Sequence, residues 1–585
     1  MFESQSIELP QHGVSDRSPQ KHCATCHQSS SSPKLTSPSL AAAALPPFLI
    51  SMGSPWAVAG ALLVGLLIWH KKRLSARGAL PPGPRPLPIL GNILDLTPKE
   101  LWLVATTWAK EFGDVVHVHI LGQGLVFLSS PEATMDLLDR KGSIYGDKPT
   151  LVMAGELCGC DDMVAFTPYG EQSKRQRRLM NRALGMAAIP AYHPLIETET
   201  HSFIRNLVAS PFKYMEHSRR YAGSLTLSVV YGYEVAGTDD KFLTLAEECV
   251  DILANKISSG GGIWPVDIFP ALKHLPAWAP GSGFLAKADK WKAKMTEFVE
   301  QPYEFVKTSL KSGQYAPSFC SMLLEDAKTP TQQFEFDLRY TANSMYAASM
   351  DTTITTFCHF LLAMMLHPEV LARAQEEIDR VVGSDRLPTF SDRDSLPFVD
   401  AVLNEVYRWG VPVPLSLPHR LMEDDVYRGM FIPKGSLILA NVWAISRDEG
   451  LFPNASAFLP ERYLEKIDDP VLAKRRDPRS FVFVRPLDLV AGNMTDHACH
   501  LSHIYQHSRR CPGVSLVESS IWILLANAMA TLDISKPKDE FGNVIEPKVD
   551  FNNSVFRVPD HFQCDIRPRS AHTLKVLRQT ETTHS

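Results

Sequence analysis

Apolar positions recur at helical spacing along most of residues 101–570. Leu101–Phe112, Tyr192–Val208, Phe334–Leu366 and Pro368–Val382 each predict a long helix with at least one buried face. Short runs of strand character, Val115–Ile120 and Gly124–Leu128, interrupt them. No fixed repeat of the solenoid kind is present. The pattern predicts one large domain over 93–585, mainly α with small β-sheets.

Ahead of this body the pattern changes three times. Residues 1–51 are rich in Ser, Pro, Gln and Ala without periodicity, and read as a disordered leader. Their Cys23-Ala24-Thr25-Cys26-His27 has the form of a c-type haem attachment site, but in low-complexity sequence we read it as chance. Met52–Trp69 approaches the roughly 20 apolar residues that a membrane span needs. The cluster His70-Lys71-Lys72-Arg73 follows it. Basic residues after the apolar run, not before it, separate this segment from a signal peptide. They predict a single-pass transmembrane anchor and stop over 52–73, with everything downstream cytosolic. We expect Met52 to be the native start. Residues 74–92, with Pro81-Pro82-Gly83-Pro84-Arg85-Pro86-Leu87-Pro88, predict a stiff proline-rich hinge.

Composition narrows the function. Hydrophobic residues make up 45% and charged residues 21%, enough for a sizeable core. A net charge of -5 gives no basic footprint for nucleic acid. The ten cysteines are scattered, which fits a reducing compartment and no disulfide framework.

Four stretches carry candidate chemistry. Cys511-Pro512-Gly513 precedes an apolar helical run, Val514–Leu532. A thiolate at a helix N-terminus is favoured by the dipole and suits an axial haem ligand, although a lone cysteine is more often structural. Tyr169–Arg178 opens a strongly basic helix, usually a solvated face but able to clamp an anionic cofactor group. Ala348-Ser349-Met350-Asp351-Thr352-Thr353 puts an acid beside alcohols inside an apolar helix, either a satisfied polar pocket or a proton relay. Glu405 and Arg408 share a helix face, and this common surface pair gains meaning only if buried with a further partner, for which Arg462 is the candidate.

Together these motifs, in order with Pro418-His419-Arg420, Pro433-Lys434-Gly435 and Pro460-Glu461-Arg462, resemble the cytochrome P-450 family, of the fungal microsomal type, from about Pro81 to about Ser570. The resemblance implies haem b as cofactor, with Cys511 as axial iron ligand and Arg177, Arg420 and Arg509 on the haem propionates. It implies Asp351 and Thr352 as the acid–alcohol pair that handles protons, and Glu405, Arg408 and Arg462 as a buried structural triad. Substrate contacts would come from Tyr145–Phe166, Gly260–Trp264, Asn343–Ser349, Val411–Leu417 and Ser554–Val558. Val266-Asp267-Ile268-Phe269-Pro270 with Leu275-Pro276-Ala277-Trp278 is similar to the membrane-facing loop of secondary-metabolism members.

Three departures stand out. The family writes its ligand loop Phe-x-x-Gly-x-Arg-x-Cys, yet Cys511 lies 28 residues beyond Phe483 (511 − 483), about 21 too many. We read 484–506 as an insert translated from a retained intron; its His497, Cys499, His500 and His503 then reflect chance composition, not a metal site. Ser173 stands where a Trp commonly meets a propionate. Ser349 replaces a helix Gly, which predicts extra bulk where oxygen should sit.

The implied function is a monooxygenase that inserts one atom of O2 into a hydrophobic small molecule, in fungal secondary metabolism or xenobiotic oxidation. It would lie in the endoplasmic reticulum membrane. Electrons would come from NADPH through a separate NADPH-cytochrome reductase, with cytochrome b5 as a further donor. Two alternatives remain open here: a haem–thiolate isomerase or dehydratase, against which Asp351-Thr352 argues, and a non-catalytic remnant with an interrupted haem loop.

Overall fold

The structure is a computed structural model that describes residues 65, 78–96, 99–237, 239–257, 264–483, 511–551 and 555–582. The expected leader, the 52–73 anchor, the start of the hinge, the 484–506 insert with its His and Cys residues, Arg509, and most of 260–264 lie outside the described residues.

The predicted elements form close to their expected bounds. Helix α1 is Leu101–Phe112, β1 is Val115–Ile120 and β2 is Gln123–Leu128. The basic segment becomes α2, Glu171–Leu184, followed by α3, His193–Ala209, and α4, Tyr214–Tyr231. The longest helix is α5, Gln332–Leu366. Thr331 caps its first turn through a hydrogen bond from Phe334 N–H to the Thr331 hydroxyl (3.2 Å). Pro368 opens α6, Pro368–Val381, and disfavours helix at the residue before it, so α5 ends at His367. Next come α7, Pro397–Gly410, and α8, Val514–Thr531.

Helix α5 is the core of the molecule. It packs against α2, α4, α7 and α8, and from Thr353 to Met365 every residue is buried. Burial on all sides explains why this half carries no polar stripe. Among the described residues α8 is the single helix long and apolar enough to cross a membrane, and 72% of it is buried inside the protein, as expected of a core helix.

The main sheet has the order β1-β2-β6-β3, with β3 at His419–Arg420 and β6 at Leu437–Ala440. Strands β2 and β6 are parallel, Leu125 opposite Leu437, although nearly all the long helices lie between them in the chain. Two more two-stranded ribbons complete the β structure: β4, Asp425–Tyr427, with β5, Met430–Ile432, and β7, Leu532–Ser535, with β8, Asp565–Pro568.

One buried ionic cluster ties α7 to the chain beyond the sheet. Arg408 and Glu405 are both fully buried. All five Arg408 N–H groups are used: Nε and Nη2 donate to Glu405 (2.8 and 2.6 Å), Nη1 to the Ser446 and Ala455 carbonyls (2.8 and 2.7 Å), and Nη2 also to the Ala457 carbonyl (2.8 Å). Arg462 Nε lies 3.3 Å from the Glu405 carboxylate, which also accepts from Leu459 N–H (2.8 Å). The pair is thus the buried, fully bonded kind, not the common surface kind.

Arg408→Leu is expected to destabilise the fold by about 3–5 kcal/mol, because Glu405 is left buried without its main partner. Arg373→Ala, which breaks an exposed pair with Glu461, should change stability by less than about 1 kcal/mol. Urea unfolding of the two variants beside wild type makes the comparison.

Candidate active site

Cys511 is exposed and sits just ahead of α8. Its backbone N–H donates to the Phe483 carbonyl (3.2 Å), and Val514 N–H donates to the Cys511 carbonyl (3.4 Å). A Cβ placed on Gly513, the N-cap of α8, would lie 4.0 Å from Cys511 Sγ. The sulfur therefore borders the first turn of α8, where the helix dipole favours the thiolate. The flanks of the surplus segment, Phe483 and Cys511, are hydrogen-bonded to each other.

The basic helix divides its charges. Arg175 pairs with Asp337 (2.5 Å), Arg182 with Asp326 (3.0 Å) and Lys174 with Glu171 (2.8 Å), so most of the run is a paired surface. Arg177 behaves differently. Burial pulls its pKa down, and the charge of Cys511 pushes it back up. A guanidinium that gains from a neighbouring anion is suited to a cofactor carboxylate. Ser173, on the same helix, is buried.

Helix α5 runs unbroken through the acid–alcohol motif. Thr352 Oγ1 donates back to the Ala348 carbonyl (3.1 Å), and Thr355 and Thr356 do the same to Asp351 and Thr352 (2.5 and 2.8 Å). Ala348 is exposed and Thr352 half-exposed, although Met345, Met350 and Thr353 around them are buried. The covering of the core helix is thus interrupted at this strip. Burial raises the Asp351 pKa to about 6; Arg219 opposes the shift, and Asp251 and Glu247 add to it. The carboxyl therefore titrates far closer to neutral pH than an exposed aspartate does.

The Ser349 expectation is corrected by the packing. Its hydroxyl turns to α4, with Thr226 Oγ1 2.7 Å away, and donates to the Tyr346 carbonyl (2.9 Å). It joins two helices and adds no bulk to the open strip.

Arg420 lies on β3, with Nε 2.8 Å from Asp147 Oδ2 and Nη1 2.9 Å from Thr150 Oγ1; Nη2 also reaches Asp147 (2.5 Å). These bonds use three of its five N–H groups and leave two for an anion. Of the predicted site residues, the structure links Cys511 to Arg177 and joins Glu405, Arg408 and Arg462 to one another. Asp351 and Thr352 stand on the core helix, and Arg509 is outside the described residues. A thiol at a helix start, a buried cation whose charge it favours, and an acid whose pKa is raised to about 6 are a set that fits a haem.

Sequence reasoning passed over His359, Arg447 and Arg557. A histidine inside the apolar run Ile354–Leu366 was the available signal for the first. The two arginines carry no local mark.

The family model described as Cytochrome P450 matches residues 81–482. The match ends one residue before Phe483, where the surplus segment begins. The chain is 37% identical over 522 residues to Cytochrome P450 monooxygenase claT of Ampulloclitocybe clavipes, covering 89% of this chain and 97% of that protein. It is 37% identical over 519 residues to Cytochrome P450 monooxygenase 208 of Postia placenta (88% and 95% covered). It is 35% identical over 520 residues to Cytochrome P450 monooxygenase ple1 of Rhodocybe pseudopiperita (88% and 94% covered).

The Asp351 shift makes a stability prediction. The unfolded carboxyl loses its proton near 3.8 and the folded one near 6, so across that window the folded chain keeps a proton that the unfolded chain has lost. Stability therefore falls as pH rises through the window, and the penalty is complete above it. Asp351→Asn should be more stable than wild type by about 1–3 kcal/mol at about pH 8, and the two should converge by about pH 4, in urea unfolding followed against pH.

Proposed function

The chain belongs to the cytochrome P450 family, and on that footing we propose that its haem–thiolate monooxygenase activity serves fungal secondary metabolism or xenobiotic oxidation, acting on a hydrophobic small molecule. The observation that carries the reading is the Cys511 sulfur at the start of α8, electrostatically linked to Arg177.

Cys511 would hold the haem iron, and Arg177, Arg420 and Arg509 would balance the propionates. When bound, the haem supplies O2 activation and one-electron chemistry. The chain does the rest. Asp351, with its pKa raised to about 6, takes up and releases a proton near neutral pH, and Thr352 offers a hydroxyl beside exposed Ala348.

Electrons would arrive from NADPH through a separate reductase, with cytochrome b5 as a second donor. Membrane attachment is supported by a cluster of exposed apolar side chains at the end of the hinge and in the 266–278 loop. Ile89, Leu94 and Trp278 are 86, 78 and 83% exposed, and Ile268 packs against the same small core as Leu96 and Leu101. An anchor at 52–73 would hold this face to the endoplasmic reticulum with the domain in the cytosol. The insert at 484–506 reads as foreign to the working enzyme. The family match stops beside it, and its flanks already meet through Cys511 N–H and Phe483.

Expression with and without the 21 or so surplus residues of the 484–506 segment tests the function. The reduced carbon monoxide adduct should show a red-shifted thiolate-type Soret band, stronger in the shortened chain. Cys511→Ser should abolish that band. Its survival in Cys511→Ser would overturn the assignment. Thr352→Ala should leave the band intact and cut product formed per NADPH by roughly 10²-fold, read as NADPH consumption against product.

A further inference from the structure

The end of α7 carries an unusual constraint. Val411, directly after Gly410, adopts φ +47° and ψ 78° while fully buried. A β-branched residue in the left-handed region costs about 1–3 kcal/mol and persists only where its surroundings impose it. Gly410 has no freedom either, since a Cβ there would lie 2.7 Å from the His359 ring.

Two arginines from distant parts of the chain, Arg447 and the buried Arg557, impose this turn. Arg447 donates to the Arg408 and Trp409 carbonyls (2.9 and 2.6 Å). Arg557 Nη1 donates to the Gly410 carbonyl (3.0 Å), and the Arg557 backbone N–H to the Pro412 carbonyl (2.9 Å). Four carbonyls between residues 408 and 412 are thus held by arginine N–H groups.

Arg557 also reaches the core helix. Its Nη1 is 2.9 Å from His359 Nε2, and His359 Nδ1 is 2.8 Å from the Thr355 carbonyl. Nδ1 faces an acceptor and therefore carries the proton, so Nε2 accepts from Arg557 and the ring is neutral. Burial and the charges of Arg557 and Arg447 keep the His359 pKa well below its ordinary value. The Arg557 guanidinium lies over the Phe551 ring (3.5 Å to the centroid) and beside Trp443 (4.7 Å). His359 is seven residues, two helical turns, beyond Thr352, so both occupy the same face of α5.

We propose that Arg557, braced by His359, is a specificity-determining positioning residue: it locks the 411–417 loop and the 555–558 segment onto α5 and so sets the wall against which substrate lies relative to Thr352. The inference rests on the monooxygenase reading, in which these two segments line the pocket. Arg557 need not touch substrate. Its role follows from the planar fork, which reaches a carbonyl and an imidazole while stacked on Phe551, a geometry that a lysine point charge cannot reproduce.

Arg557→Lys tests this with two readouts. Backbone amide exchange should accelerate about tenfold at 409–417 and stay unchanged in α4 and α8. In Soret titrations the ratio of dissociation constants for 4-phenylimidazole and imidazole should shift about tenfold, while the affinity for imidazole itself holds. His359→Gln, whose amide can accept from Arg557 and donate to Thr355, should retain most of the wild-type ratio. Unchanged exchange at 409–417, an unchanged ratio, or acceleration spread over the whole chain overturns the proposal. If Arg557→Lys does not fold, His359→Leu decides: it removes the acceptor that braces Arg557 while both arginines stay in place, and a ratio equal to wild type overturns the clamp. A wild-type chain with no haem band overturns the monooxygenase reading instead, and amide exchange then judges the clamp alone.

Discussion

Desolvation makes a fully buried guanidinium seek acceptors within the protein, and this constraint organises the molecule. Arg408 has no access to water, so each of its five N–H groups must find an acceptor inside the protein. It finds them on Glu405 and on carbonyls at Ser446, Ala455 and Ala457, which lie some 40 to 50 residues along the chain. Meeting that demand pins a long irregular stretch against α7. The same helix offers Tyr407 edge-on to Phe483 (5.3 Å between ring centroids), and Phe483 accepts from the Cys511 N–H. The position of the sulfur is thereby inherited from the ionic cluster through one aromatic contact and one hydrogen bond.

Helix α5 carries a second consequence of desolvation. Its C-terminal half is buried on all sides, and its middle opens at Ala348 and Thr352. Asp351 stands at the boundary between the two. Full exposure would leave it an ordinary ionised carboxylate, whereas its partial burial holds a proton to about pH 6 with Arg219 moderating the shift. The reactive quality of this acid is a property of where the helix stops being covered. Serine at 349 is accommodated for a related reason: a polar group next to the strip finds its partners on α4 and stays out of the open space.

Arginines recur as the joints of this fold, and each joint uses the side chain differently. Arg177 answers to an anion, Arg408 fills a closed set of acceptors, and Arg447 and Arg557 hold main-chain carbonyls against a strained turn. Burial lowers the pKa of Arg447 to about 9 and of Arg557 to about 10. Carbonyl oxygens and aromatic faces sustain these cations without a carboxylate partner.

Much was legible in the residues alone. Period and punctuation located Leu101–Phe112 and Val115–Ile120 to the residue, and Pro368 marked the end of the core helix, because helix and strand formation depend on neighbours within a few positions. The order of the motifs identified the family, and the thiol, the acid–alcohol pair and the Glu405–Arg408 pair were named from it. Tertiary structure alone decided that burial lifts the Asp351 pKa, that Ser349 turns to a neighbouring helix, and that Arg557 meets His359 198 residues earlier. Those outcomes depend on desolvation and on partners brought together by folding, and local sequence carries no record of either.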